Sequence, residues 1–174
     1  MKKLLMGLAI SGALLGSVAH SQETNQMYVE VAYAHTKLES SGLFSENVGV
    51  GLARFGYNFT PNFAGEVFLA AGLDSANVQG VDVKVDSAYG FYLKAKVDVG
   101  SGVELFAKPG YAHTKISASA FGLSASSSDD SFTWAIGGQY NFTDTVYGQI
   151  DYASYYDKSG DQVSGPSISI GFKF

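Results

Sequence analysis

The 174 residues contain no cysteine. That excludes a disulfide framework, thiolate chemistry and Cys-type zinc sites. Charge is sparse, at 16% of residues, below the roughly 25–35% expected of a soluble surface. Basic residues are fewer than acidic ones, 11 against 16, which argues against a nucleic-acid partner. Proline is scarce, at three. Beyond the first twenty or so residues no stretch is long and apolar enough for a transmembrane helix, which needs about 20 such residues. What the chain does have is glycine (21), phenylalanine (12) and tyrosine (11), a composition suited to strands, tight turns and aromatic belts.

The two ends carry compartment signals. Residues 1–21 read as a secretory signal peptide: Lys2 and Lys3, an apolar or small run from Leu4 to Val18, then small-x-small sites that put cleavage before His20 or before Gln22. Its removal leaves residues 22–174 as one domain and, with the loss of Lys2 and Lys3, takes the formal net charge from -5 to -7. At the other end, Ile168, Ile170, Phe172 and Phe174 alternate with Ser167, Ser169, Gly171 and Lys173.

Period-two alternation recurs along the whole mature chain and predicts strands at about 27–37, 46–59, 63–73, 83–99, 103–115, 132–142, 146–156 and 166–174. Short connections (60–62, 100–102 and 143–145) alternate with longer ones (38–45, 74–82, 116–131 and 157–165). Eight strands with that rhythm predict an all-β, eight-stranded, antiparallel up-and-down transmembrane barrel. An even count closes the sheet without a raw edge. Tyr33-Ala-His-Thr-Lys37 recurs at Tyr111–Lys115, and Tyr57-Asn-Phe-Thr60 at Tyr140–Thr143. The simple reading is two similar four-stranded halves; convergence on belt and turn chemistry is the alternative.

The apolar rows carry no charge. In the fourth predicted strand Val83, Val85, Ser87, Tyr89, Phe91, Leu93, Ala95, Val97 and Val99 share a face; in the sixth, Phe132, Trp134, Ile136, Gly138, Tyr140 and Phe142 do. A soluble ligand-binding barrel would turn these rows inward. Their membrane-spanning length, and Tyr57, Phe59, Tyr140 and Phe142 beside the short turns as a periplasmic aromatic girdle, point them at lipid. The second strand fits less well: Val48, Val50 and Leu52 lie on the opposite parity to Phe55, Tyr57 and Phe59, which a bulge near Ala53 or a partly apolar lumen would explain.

The opposite parity predicts a lumen lined by Glu30, Arg54, Glu66, Lys94, Lys96, Asp98, Glu104, Lys108, Gln139, Gln149 and Asp151. An eight-stranded barrel is just wide enough for side chains, so these groups are expected to pair with one another. Strand register puts Gly56 opposite Glu66, Arg54 diagonal to Glu66, Gln139 opposite Gln149 and Lys96 diagonal to Glu104. A narrow ion path through the same residues is the functional alternative.

No catalytic, cofactor or metal site emerges. His35 and His113 fall on opposite sides of such a barrel and cannot share a metal. No spaced histidine–acid pair points at a serine, which leaves a lipid-modifying enzyme as the weakest reading. Gly49–Gly56 lacks the Gly-Lys-Ser/Thr ending of a nucleotide loop. Residues 116–131, with seven serines and Asp129-Asp130, read as a solvated loop that offers a contact surface for a ligand.

On the signal peptide, the Tyr57–Thr60 and Tyr140–Thr143 junctions, Gly110-Tyr111 and the Phe174 terminus, the chain resembles the small outer-membrane barrels of the OmpA/OmpX type, a porin-like group. The resemblance implies a closed barrel in the bacterial outer membrane and no catalysis. It implies contact with lipids and lipopolysaccharide, and insertion by periplasmic chaperones and the barrel-assembly machinery. Ile168, Ile170, Phe172 and Phe174 match its insertion signal. Its members act as structural proteins, adhesins, resistance factors and small pores.

Overall fold

The computed structural model describes residues 24–40, 44–74, 76–78, 81–120, 123–158 and 161–174. The signal segment expected at 1–21 lies outside them. The elements are β1 (Gln26–Ser40), β2 (Phe44–Asn58), β3 (Phe63–Gly72), a short β4 (Ala76–Val78), β5 (Val81–Gly100), β6 (Val103–Ala120), β7 (Leu123–Asn141), β8 (Val146–Lys158) and β9 (Asp161–Lys173). Each long strand pairs antiparallel with its sequence neighbours, β1 pairs with β9, and β3 pairs with β5. Eight strands therefore close a barrel, and β4 is a three-residue addition to the outward end of β5. No described helix is long and apolar enough to cross a membrane; the strands cross it.

The short turns and the Phe174 end lie together, where Met27 and Phe174 exchange backbone hydrogen bonds of 3.2 and 2.9 Å. Short turns mark the periplasmic side of such a barrel. The repeated Tyr-Asn-Phe-Thr motif builds the same turn twice. Thr60 Oγ1 accepts the Phe63 N–H at 2.9 Å while the Thr60 N–H donates to the Phe63 carbonyl at 3.2 Å. Thr143 Oγ1 accepts the Val146 N–H at 2.9 Å, and its own N–H donates to the Val146 carbonyl at 3.1 Å. The β5–β6 turn is tighter: Gly100, Ser101 and Gly102 all have positive φ (95, 56 and 78°), which two glycines make affordable.

Outside, an apolar belt surrounds the barrel. Tyr57, Phe59, Tyr140 and Phe142 are exposed at its periplasmic edge, with Ile168, Ile170, Phe172 and Phe174 also outward. A second aromatic row, including Tyr33, Tyr89, Tyr111 and Tyr152, is exposed at the other edge. The rows lie where interfacial aromatics place a polar tip in the headgroups and a ring in the acyl region. Ile150 sits between the rows and is 64% exposed. Ile150→Lys is expected to lose about 2–4 kcal/mol in unfolding from lipid, whereas Ile150→Leu leaves the midpoint within experimental scatter. Equal stability of the lysine variant would deny that this face meets acyl chains.

Two kinds of sequence expectation are corrected, and one open alternative is decided. The face assigned to Val85 does not continue that of Tyr89, because a bulge between Val85 and Ser87 reverses the parity and buries Val85. The 116–131 segment is not a loop: β6 and β7 pair continuously out to Ala120–Leu123. Backbone hydrogen bonds carry a ladder where neither face is apolar, so the alternation vanished from the sequence while the strands went on. The 38–45, 74–82 and 157–165 segments likewise shrink as their strands extend. In β2, the register with β1 runs without a bulge from Asn58 to Phe44, and Val48, Val50 and Leu52 are buried; of the two alternatives, the partly apolar lumen holds.

Candidate functional site

The lumen has two layers. The periplasmic half is ionic. Arg54 of β2 donates to Glu30 Oε1 of β1, its direct cross-strand partner, and lies 3.6 Å from Asp151 Oδ2 of β8. Lys108 of β6 and Lys94 of β5 reach Glu66 of β3 at 2.9 and 3.7 Å. Lys96 and Lys173 flank Glu104 at 3.1 and 3.8 Å. Four carboxylates and five cations thus thread one barrel. Lys108 is 1% exposed, Glu66 2% and Arg54 3%, so each charge depends on its neighbours rather than on bulk water.

Neutral side chains add hydrogen bonds to the network, although Arg54 Nε donates to none of them and stays buried without a hydrogen-bond partner among the described residues. Lys94 Nζ donates to Gln139 Oε1 at 3.0 Å and to Gln149 Oε1 at 3.1 Å. The Tyr28 hydroxyl donates to Glu66 at 2.7 Å and that of Tyr147 to Glu30 at 3.1 Å. Ser167 donates to Asp151 at 2.8 Å, and Asn141 to Glu104 at 2.8 Å. Lys94 also lies 4.7 Å from the centroid of Phe106 and 5.4 Å from that of Tyr28, within cation–π reach. An ammonium so enclosed exchanges its hydration shell for two amide oxygens, a carboxylate and ring faces.

Outward of this layer an apolar cluster crosses the lumen beside buried threonines and serines. Val50 and Leu52 of β2, Phe68 of β3, Tyr92 of β5 and Tyr155 of β8 belong to one buried cluster, packed among small inward alanines. Phe68 and Tyr92 stack at 4.9 Å between centroids. The Tyr92 hydroxyl bonds Thr133 Oγ1 at 3.0 Å, which donates to the Ser154 carbonyl at 2.6 Å. The ionic layer is thereby roofed by rings and branched aliphatics.

Ten of the eleven lumen residues named from the sequence, all but Asp98, thus stand in this interior. Gly56 faces Glu66, and Gln139 faces Gln149. The Arg54–Glu66 pair is corrected: Arg54 turns to Glu30 and Asp151, and lysines take Glu66. The β1–β2 register sets Arg54 beside Glu30 directly, and a direct pair is closer than a diagonal one. Asp98 accepts the Gly100 N–H at 2.7 Å in the β5–β6 turn rather than joining the core network. Sequence reasoning missed Lys173, Tyr28 and Tyr147. Their inward parity was the available signal, obscured because tyrosine also belongs in the belt. A double-mutant cycle checks the correction: Arg54→Ala with Glu30→Ala is expected to show a coupling of about 1–3 kcal/mol, and Arg54→Ala with Glu66→Ala less than about 0.5.

His35 and His113 lie on β1 and β6, four strands apart around the barrel. Among the described residues no group of three or more candidate ligands is placed to hold a metal ion. His113 Nδ1 bonds Asp130 at 2.7 Å, and its ring lies 5.1 Å from that of Tyr89.

The family described as outer membrane protein beta-barrel domain matches residues 6–174. No curated protein matches the sequence. Among solved structures, Ail, the attachment invasion locus protein of Yersinia pestis, in complex with the heparin analogue sucrose octasulfate, is 18% identical over 87% of this chain and 100% of its own, with a TM-score of 0.68. Neisserial surface protein A is 18% identical over 85% and 97%, with a TM-score of 0.72. The N-terminal beta-barrel domain of Pseudomonas aeruginosa OprF is 15% identical over 87% and 98%, with a TM-score of 0.65. These likenesses are of fold. A family match over nearly the whole sequence, on a closed barrel with a lipid-facing belt, means that the chain belongs to the outer-membrane β-barrel family and is an integral protein of the bacterial outer membrane.

Proposed function

We propose that this barrel is non-enzymatic, sealed by its own side chains, and active at its outer surface in envelope structure and surface interaction. The sealed lumen carries the reading. An ionic layer with every charge paired lies beneath an apolar roof of Val50, Leu52, Phe68 and Tyr155, and neither layer offers a solute a hydrated path. What remains for contact is the outward strand pairs and the belt. The belt supports lipid and lipopolysaccharide as surroundings. The outward row Ile168, Ile170, Phe172 and Phe174 supports recognition by the assembly machinery, after chaperone escort and removal of residues 1–21. Ail, a protein of similar fold, binds a heparin analogue, which supports a surface ligand as the kind of activity to seek.

A narrow channel is the second reading, favoured by the continuous run of charged groups from Lys173 to Arg54. Planar-bilayer recording decides. The refolded protein, shown folded by its heat-dependent gel mobility, is expected to be silent. Discrete steps in wild-type protein that change with Leu52→Ser, a substitution that thins the apolar roof, would establish the channel instead.

A further inference from the structure

The Tyr-Ala-His-Thr-Lys motif occurs twice, and neither the turns nor the belt uses its histidine and lysine. The second copy stands on the outer face of β6, between β5 and β7, within three cross-strand rows. Phe91, Tyr111 and Phe132 form the row nearest the membrane core and are 58, 47 and 59% exposed. One step outward, about 6.6 Å along each strand, come Tyr89, His113 and Asp130. One step further come Ser87, Lys115 and Ser128, all exposed. The aromatic belt marks the lower boundary of the headgroup layer, so the two outer rows stand in that layer.

The middle row is held in place. The Asp130 carboxylate accepts from His113 Nδ1 at 2.7 Å, and the imidazole lies 5.1 Å from the Tyr89 ring between centroids. The Asp130 side chain is still 57% exposed, which leaves its second oxygen open to a further donor. Lys115 has no ion pair or hydrogen bond among the described residues. It is diagonal to Asp130 in the ladder, a spacing of about 7–8 Å. One cation and one anion therefore stand side by side on the lipid face, with a serine hydroxyl on either side of the lysine. A surface of both signs and no net charge is complementary to a zwitterion rather than to an anion.

The first copy of the motif serves as an internal comparison. Tyr33, His35 and Lys37 take the same places on β1. There Lys37 is occupied by Glu39 at 2.6 Å, and His35 faces Gly49, which has no side chain to offer. The same five residues build a two-signed site only where β7 supplies Asp130.

We propose that this face of β5, β6 and β7 holds the phosphoethanolamine headgroup of a glycerophospholipid. The phosphate accepts from Lys115 Nζ and from the Ser87 and Ser128 hydroxyls. The ammonium donates to Asp130 and lies against the Tyr89 ring. The acyl chains run over Phe91, Tyr111 and Phe132. The site goes beyond lipid as surroundings, and its test reads lipid retention rather than conductance, so it and the sealed-lumen reading can fail separately.

The full chain is refolded in a neutral detergent and shown folded by heat-dependent gel mobility. It is then mixed with phosphatidylethanolamine, phosphatidylglycerol or phosphatidylcholine of identical chains, and bound lipid is counted by native mass spectrometry. One phosphatidylethanolamine per barrel is expected, retained at a concentration at least about tenfold below that needed for either other lipid. Phosphatidylglycerol lacks the ammonium, and phosphatidylcholine has no N–H for Asp130. Asp130→Asn and Lys115→Gln are each expected to erase the preference, whereas Lys37→Gln, at the matching place in the other copy, leaves it unchanged. All three positions are exposed, so gel mobility stays that of the folded barrel. Equal retention of the three lipids would leave only unselective surrounding lipid and overturn the proposal. So would a preference that survives both substitutions, or one lost equally in Lys37→Gln. Retention solely of lipid A bearing phosphoethanolamine, run as a fourth ligand, would assign the headgroup to another carrier and overturn it as well.

Discussion

Glu66→Ala is expected to cost about 3–5 kcal/mol of stability, the range seen when one member of a buried ion pair is removed. Glu66 receives Lys108 at 2.9 Å, Lys94 at 3.7 Å and the Tyr28 hydroxyl at 2.7 Å. Its loss leaves two ammonium groups facing each other in the lumen with one carboxylate fewer to answer them. Neither can reach water: Lys108 lies under Phe106, with Nζ 4.7 Å from the ring centroid, and Lys94 is enclosed by Phe106, Tyr28 and Tyr147. Denaturant unfolding of the lipid-embedded protein, followed by heat-dependent gel mobility, measures the loss. Glu66→Ala with Lys108→Met is expected to recover part of it, because the second change removes one stranded cation. A single-variant loss below about 1 kcal/mol would mean that water enters this layer, and the sealed-lumen reading would fail with it.

Gly171→Val is expected to be comparably disruptive, by overfilling rather than by stranding a charge. Tyr147 of β8 and Gly171 of β9 are direct cross-strand partners, and the tyrosine ring lies flat over the space a side chain would take. A Cβ on Gly171 would stand 2.1 Å from Tyr147 Cζ and 2.3 Å from its hydroxyl. The ring cannot give way, being almost wholly buried, bonded to Glu30 and edge-on to Tyr28 at 6.2 Å. Tyr28 covers Gly56 across β1 and β2 in the same manner, with a Cβ there 2.0 Å from its Cζ. Overpacking typically costs about 1–3 kcal/mol, and here the lost Tyr147–Glu30 bond adds to it. Tyr147→Ala in the Gly171→Val background vacates the space, and the double variant should fold better than Gly171→Val alone. No improvement would place the fault in the strand backbone rather than in the ring.

Both predictions turn on side chains that the sequence assigned to a face but not to a partner. Parity put Glu30, Arg54, Glu66 and Lys108 inside, because a charge on the outer face of a belted strand is too costly to place there. Which carboxylate met which cation depended on sites up to three strands apart around the barrel, and only the closed register brings Arg54 of β2 to Asp151 of β8. The Arg54–Glu66 expectation went wrong at that step: it used the β2–β3 hairpin alone, while β1 offered Arg54 the nearer Glu30. Tyr28 and Tyr147 were hidden for a related reason. A tyrosine is equally at home in the interfacial belt and in a hydrogen-bonded lumen, and its identity does not say which.

By itself the sequence determined the all-β class, the eight strands, the periplasmic turns and the outward apolar rows. All of these follow from local rules: period two, turn chemistry, and the exclusion of charge from lipid. The repeated threonines at 60 and 143 show how local the turns are, since the same four residues build the same hydrogen bonds on opposite sides of the barrel. The tertiary structure decided the charge pairing, the apolar roof, the reversal of face in β5 and the strands that run on past the belt into residues 116–131. In that outer region no solvent boundary imposes an apolar face, so the ladder leaves no alternation to read. The lumen is the converse case: side chains converge there from eight strands, and their partners are set by barrel closure, which no local stretch of sequence contains.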